Sequence, residues 1–226
     1  MEPPRTPSVP GLANDAAGAV GELLAGASRQ LTKVRSDPKP LHPSGVVVTA
    51  RLVRTGSAGI AVPWLEIAGT QEVVVRISRA IGLPGAVPDI HGLAMRVPIS
   101  GRTHHADLLF ASTGLGRVTR FMLTAGREIT SRPLTTLLPY RSPRGPLLIG
   151  ACPGGGDPLR FQLLWSRWLG PWVRFAELTV HSTTGPDPDI SFDPIANPLP
   201  GLQHYEWVRR LRAPAYRAAR EATGRA

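Results

Sequence analysis

Residues 45–53 read GVVVTARLV, and residues 72–78 read EVVVRIS. Both stretches are rich in β-branched residues and alternate apolar with polar positions, which is typical of strands with one buried face. Similar runs separated by turn residues complete the set of predicted strands: Val46–Val53, Ile60–Ile67, Glu72–Ser78, Leu93–Val97, Ala106–Phe110, Arg117–Leu123, Leu147–Ala151, Leu159–Trp165 and Trp172–His181. Nine short strands at this spacing predict a barrel or a sandwich.

The segments on either side of the strand region are predicted to contain helices. Asn14 or Asp15 caps an alanine-rich amphipathic helix that runs to about Val34. A second helix is expected over Leu202–Arg212, and it restarts at Pro214, since proline is tolerated at a first helical position. We expect residues 1–10 to be a flexible tail and residues 11–226 to form a single domain.

The composition excludes several classes of protein. The chain has 226 residues and a formal charge of +10, but the arginines are scattered through the predicted strands and loops, so we expect no nucleic-acid partner. No run of about 18 apolar residues predicts a membrane span, and the first residues do not resemble a secretory leader, which favours a cytoplasmic protein. Cys152 is the single cysteine and excludes an internal disulfide or a thiolate cluster.

Four short segments stand out because they occur together and in a fixed order. His42-Pro43-Ser44-Gly45 leads directly into a strand, and Val75-Arg76-Ile77-Ser78 lies in the next one. Residues 88–96 read PDIHGLAMR. Near the C-terminus, residues 192–201 read FDPIANPLPG and lead to Arg212, four positions before Tyr216.

In this order the four segments resemble the haem-site segments of catalases, over roughly residues 39–222. The resemblance implies an α+β fold, a catalase-like antiparallel β-barrel with flanking helices. It also implies haem b as the cofactor, with Tyr216 as the iron ligand and Arg212 favouring the ionised phenol. The basic residues implied at the edge of the cofactor are Lys39, Arg76, Arg212 and Arg220.

The resemblance further implies which residues face the peroxide. His42 corresponds to the distal histidine, which acts as a general base, and Ser78 corresponds to the serine that orients it. The strand Asp107–Ser112 is similar to the family's Asp-Leu-Val-Gly-Asn-Asn, so that Ser112 takes the place of the distal asparagine. We therefore expect slow dismutation of hydrogen peroxide.

The function that these residues imply is a haem-dependent, peroxidase-like oxidoreductase with weak catalase activity. Its substrates would be hydrogen peroxide or organic hydroperoxides together with a small reducing substrate, and the protein could form a homodimer. Two alternatives remain open: a non-catalytic haem carrier or sensor, and a haem-free barrel that binds lipid or a partner.

Overall fold

A computed structural model describes residues 44–80, 87–99, 104–154, 159–188 and 190–212. All of them belong to one compact unit, residues 37–226. Ten strands follow one another along these residues: β1 (Ser44–Arg54), β2 (Gly69–Arg79), β3 (His91–Pro98), β4 (His105–Ser112), β5 (Leu134–Thr135), β6 (Tyr140–Ser142), β7 (Gly145–Gly154), β8 (Leu159–Arg167), β9 (Val173–Val180) and β10 (Gln203–His204).

Eight of these strands close into an antiparallel barrel. The neighbours run in the order β4-β3-β2-β1-β9-β8, and β8 returns through β7 and β5 to β4. The remaining strands, β6 and β10, extend from the edge of β7. Closure leaves the eight strands without a free edge, and it decides between the predicted barrel and the predicted sandwich in favour of the barrel.

The core lies inside the barrel and follows from the alternation of the strands. In β2, Val73 and Val75 are buried, and β3 contributes Leu93 and Met95 in the same way. Residues of β1, β7, β8 and β9 complete the same cluster, which includes Leu52, Ile149, Phe161, Leu163 and Phe175. Because successive side chains leave a strand on opposite sides, the residues between these positions point outward.

Two predicted strands are wrong. Within Ile60–Ile67 the chain forms a short helix, α1 (Pro63–Glu66), because Pro63 lacks the N–H that a ladder needs and suits the first turn of a helix. The carboxylate of Glu66 also accepts the N–H groups of residues 59–61, which holds the preceding loop. Arg117–Leu123 contains a 3₁₀ turn, Thr119–Phe121, whose backbone bonds are local.

The other predicted elements agree with the structure where it describes them. The seven remaining predicted strands correspond to β1, β2, β3, β4, β7, β8 and β9. The predicted helix Leu202–Arg212 begins later, since β10 comes first and residues 206–212 form a helix, α2. No described helix has the length and apolar character needed to cross a membrane. The predicted tail 1–10 and the helix after Asn14 lie outside the described residues.

Candidate functional site

One outer face of the barrel brings together two of the predicted site residues. Arg76 and Ser78 are two positions apart in β2, so their side chains leave the sheet on the same side. Ser78 is opposite Gly45 in β1 and Gly92 in β3, and Gly92 is in turn opposite Ala111 in β4. Residues directly opposite one another share a face, so these positions form one row across four strands.

A second row lies beside the first on the same face. Arg76 is opposite Val47 and Ala94, and Ala94 is opposite Leu109. Ala94 and Leu109 are half-buried, and Val47 is buried. The two rows therefore make a floor of glycine, alanine and aliphatic side chains, roughly 14 Å across at about 4.8 Å per strand spacing.

Arg76 lies beside this floor and forms an ion pair with Asp187 through two of its nitrogens. Asp187 follows β9 along the chain. Arg76 Nε lies 2.9 Å from Asp187 Oδ1, and Arg76 Nη2 lies 3.0 Å from Asp187 Oδ2. The backbone N–H of Gly45 donates to Asp187 Oδ2 at 2.9 Å. The guanidinium passes closely over Gly45, where a Cβ would lie 2.7 Å from Arg76 Cζ. A side chain at position 45 would therefore displace the arginine from its carboxylate.

Ser112 lies on the opposite face of the sheet from Ser78. Its hydroxyl donates to the Thr124 carbonyl at 2.6 Å and accepts the backbone N–H of His91 at 3.0 Å. His91 is itself buried, with Nε2 3.0 Å from the Gly126 carbonyl, a placement that suits a structural residue. The register puts Ala111, and not Ser112, in the same row as Ser78, with Gly92 between them. Neighbouring residues of a strand face opposite sides, so Ser112 and Ser78 do not share a face of the sheet.

A buried ion pair further along the same outer face anchors the C-terminal part of the described chain. Arg96 Nε and Nη2 lie 2.8 and 2.9 Å from the two carboxylate oxygens of Asp107. Asp107 Oδ2 also accepts the backbone N–H of Asp193 and the side-chain amide of Asn197, and Arg96 donates to the Ser191 carbonyl. Asp107 is fully buried, and sequence reasoning missed this role. The signal was present, since Asp107 is the one charged residue in the predicted strand Ala106–Phe110.

Arg212 reaches the barrel from α2. Its Nη2 lies 3.4 Å from the carbonyl oxygen of Thr136, just after β5. Nearby, His204 Nε2 lies 2.9 Å from the Pro194 carbonyl, and the imidazole packs against Tyr140 at 4.8 Å between ring centroids. Burial, followed by the charge of Arg212, lowers the pKa of His204 to about 4. This histidine is therefore neutral at physiological pH.

A shallow cleft of about 320 Å³ adjoins the far end of the same outer face. Its lining includes Thr49, Val74, Arg96 and His105. His105 Nε2 is buried without a hydrogen-bond partner among the described residues and lies 3.8 Å from Asp107 Oδ2. Burial, and then the charge of Arg96, lower the pKa of His105. The cleft therefore contains an imidazole without a hydrogen-bond partner among the described residues, beside a paired arginine.

The remaining predicted site residues lie outside the described residues. They are the predicted base His42, the predicted iron ligand Tyr216, and the basic residues Lys39 and Arg220. Of the predicted set, the structure thus places Arg76 and Ser78 on one face, Ser112 on the other, and Arg212 beyond β5. Within the described ranges, no three histidine, cysteine or carboxylate side chains are grouped as they would be around a metal ion.

Comparison with known proteins relates the chain to others through its fold. No protein-family model matches the sequence, and no curated protein matches it. A solved bacterial catalase matches with a TM-score of 0.58 and 13% identity, over 97% of this chain and 62% of the catalase chain. The chain thus spans less than two thirds of the length of that catalase.

At 13% sequence identity, the match to the catalase shows similarity of fold alone. The expected catalase-like antiparallel barrel is confirmed. The expected α+β class with flanking helices fits loosely, because the described part of the chain is mostly sheet and contains few helices.

Proposed function

We propose that this protein binds haem b on the outer face defined by Arg76 and Ser78 and uses it as a peroxidase-like oxidoreductase. The observation that carries the proposal is the composition of that face. The floor is flat and apolar because three of its residues have no side chain larger than a methyl group: Gly92, Ala94 and Ala111. Arg76 adds a positive charge beside it. A flat apolar ring system that bears carboxylates needs this combination of surfaces.

The chemistry of Arg76 fits the carboxylates of such a cofactor. Its guanidinium already binds a carboxylate through two nitrogens, in the geometry that arginine adopts with such groups. A cofactor carboxylate would share Arg76 with Asp187 or replace it. In either arrangement the guanidinium of Arg76 would stay paired with a carboxylate, so its charge suits the proposed cofactor.

The remaining roles are assigned to residues beyond the described ranges and to Arg212. Tyr216 would hold the iron through its phenolate oxygen, and a cation four residues earlier favours the ionised phenol. Bound haem would supply the redox chemistry of iron. His42 would move a proton from one peroxide oxygen to the other, and Ser78 would orient its imidazole. Lys39 and Arg220 would contribute further positive charge around the cofactor.

The net reaction is reduction of a peroxide. Two electrons and two protons from a small reducing substrate convert ROOH to ROH and water, and the O–O bond is the bond that breaks. Ala111 has a methyl group in the row of Ser78, one strand beyond Gly92, where an amide side chain would be able to hold the second oxygen of hydrogen peroxide. We therefore propose weak catalase activity, with organic hydroperoxides as suitable substrates.

The same observation favours a second candidate function. A face without an amide can retain haem and yet turn over peroxide slowly, as a haem carrier or sensor would. Rapid mixing of the haem-loaded protein with an organic hydroperoxide and an aromatic donor separates the two functions. Donor oxidation over many turnovers supports the peroxidase, and stoichiometric reaction supports the carrier or sensor.

Haem binding itself is tested by titrating the purified full chain with haemin and recording the Soret band. We expect a tyrosinate-type spectrum that Tyr216→Phe abolishes or shifts. Tyr205→Phe is the matched control, since this half-buried tyrosine lies at the start of α2, and its spectrum should be that of the parent. His42→Ala should retain haem and slow the reaction with peroxide about a hundredfold or more. An unchanged spectrum in Tyr216→Phe would contradict the proposed ligand.

A further inference from the structure

Three exposed apolar side chains lie on two loops that the structure joins together. Val118 and Met122 flank the 3₁₀ turn and are 69% and 54% exposed, and Leu169, in the turn between β8 and β9, is 41% exposed. We refer to these three residues as the apolar tip. Single exposed apolar residues are common on protein surfaces, but a group of large ones on adjoining loops is a feature of binding surfaces.

Arg120 clamps the two loops of the apolar tip to each other. Its Nη1 donates to the Trp168 carbonyl at 2.8 Å, and its Nη2 donates to the Gly170 carbonyl at 3.1 Å. The rings of Phe121 and Trp168 pack at 5.3 Å between centroids. Along the chain, Val118 and Met122 flank the turn that carries Arg120, and Leu169 lies between Trp168 and Gly170. The contacts of Arg120 and Phe121 therefore hold the apolar tip in place.

The backbone at Trp168 adds a second unusual feature. Its φ is +39°, in the left-handed region that residues other than glycine seldom occupy. The hydrogen bond from Arg120 to its carbonyl holds this conformation. Strained backbone of this kind is frequent where a loop presents side chains to a ligand. A half-buried tryptophan beside exposed apolar residues is also common at the boundary between water and lipid.

The charge around the apolar tip is positive. Residues 113–122 and 166–172 include Arg117, Arg120 and Arg167 and contain no aspartate or glutamate. Arg117 and Arg167 are exposed, and Arg167 also donates to the carbonyl of Gly59 in a neighbouring loop. The whole chain carries a formal charge of +10, which favours its approach to anionic surfaces.

We propose that the apolar tip inserts into the surface of an anionic lipid bilayer, with Arg117 and Arg167 beside the phosphate headgroups. Insertion of a few apolar side chains together with basic neighbours is the usual way in which peripheral proteins bind acidic membranes. A stable protein interface needs about 20 to 30 residues on each side, far more than this tip offers. The proposal does not depend on haem binding.

The test is co-sedimentation of the full chain with extruded vesicles. One set contains phosphatidylcholine alone, and the other contains phosphatidylcholine with one third phosphatidylglycerol. We expect binding to the anionic vesicles and little to the neutral ones. Val118→Ser with Met122→Ser should weaken binding about tenfold or more, because the inserted apolar surface is lost. Arg117→Gln should weaken it roughly fivefold, and the effect should shrink at high salt.

Matched controls separate insertion at the tip from general attraction to charge. Val53→Ser changes another exposed valine, on β1, and Arg160→Gln changes an exposed arginine at the start of β8. Both should bind anionic vesicles nearly as the parent does. Failure of the parent to sediment would overturn the proposal, as would equal weakening by tip and control variants. A parent dimer in sedimentation velocity that the tip substitutions dissociate would assign the tip to a second copy instead.

Discussion

Replacement of Arg120 by lysine should destabilise the barrel severely. Arg120 is 2% exposed, and its guanidinium stacks 4.7 Å from the centroid of the Trp172 ring. Every N–H of the guanidinium has an acceptor: Nε bonds Gly116 O at 3.0 Å, Nη1 bonds Ser166 Oγ at 2.7 Å and Trp168 O at 2.8 Å, and Nη2 bonds Leu115 O at 3.3 Å and Gly170 O at 3.1 Å. The positive charge is thus dispersed over neutral oxygens from two loops.

The size of the effect follows from this count of donors. Lysine has three N–H donors on one atom, so at least two of the five acceptors lose their partner. A hydrogen bond to a charged group contributes about 1.5–3 kcal/mol, which gives a loss of about 3–6 kcal/mol. That is a large share of the 5–15 kcal/mol that typically stabilises a domain. For a chain of this length the melting temperature should fall on the order of 10 °C.

Urea and thermal unfolding, followed by tryptophan fluorescence and circular dichroism, measure this loss. Arg117→Lys is the control, because the exposed Arg117 lies in the same loop and its replacement should change the free energy of unfolding by less than about 0.5 kcal/mol. If Arg120→Lys unfolded within about 1 kcal/mol of the parent, the five contacts would not hold the two loops, and the argument for a rigid tip would fail with them.

Two further predictions concern β10 and the outer face. The pKa of His204 is lowered to about 4 in the folded chain. As the pH falls below about 6.5, the unfolded chain therefore binds a proton at this histidine before the folded chain does. The free energy of unfolding is thus full above that pH and declines toward pH 4. The loss should be about 2 kcal/mol after allowance for partial exposure. Unfolding in urea at neutral and acid pH measures it, and His204→Gln should remove this pH dependence. If the parent and the variant lost the same free energy of unfolding between the two pH values, the assignment to His204 would be refuted. Ala111→Asn places an amide on the same face as Ser78 and should raise oxygen evolution from hydrogen peroxide in the haem-loaded protein, whereas Ser112→Asn should destabilise the barrel by about 1–3 kcal/mol without that gain. If Ser112→Asn and not Ala111→Asn raised oxygen evolution, Ser112 would take the place of the distal asparagine, as the resemblance implies.

The strands could be predicted where their alternation was regular. Seven of the nine predicted strands correspond to strands of the barrel, since period-2 patterning is a local property of the chain. The prediction failed at Ile60–Ile67, where Pro63 and the hydrogen bonds from loop N–H groups to Glu66 favour a helical turn over an extended run. It missed β5, β6 and β10, which have two or three residues and exist because neighbouring strands complete their ladders.

The sequence by itself determined which residues of each strand face inward, and hence that Arg76 and Ser78 share a side of the barrel. It also identified the four catalase-like segments, and the confirmed fold agrees with that resemblance. The tertiary structure alone decided how the strands align with one another. That register places Ala111 in the same row as Ser78, and the packing of the loop after β9 brings Asp187 to Arg76 across 111 positions of the chain. The reason is physical: side-chain alternation is set within a single strand, whereas register and long-range ion pairs depend on barrel closure and on packing between segments far apart in sequence.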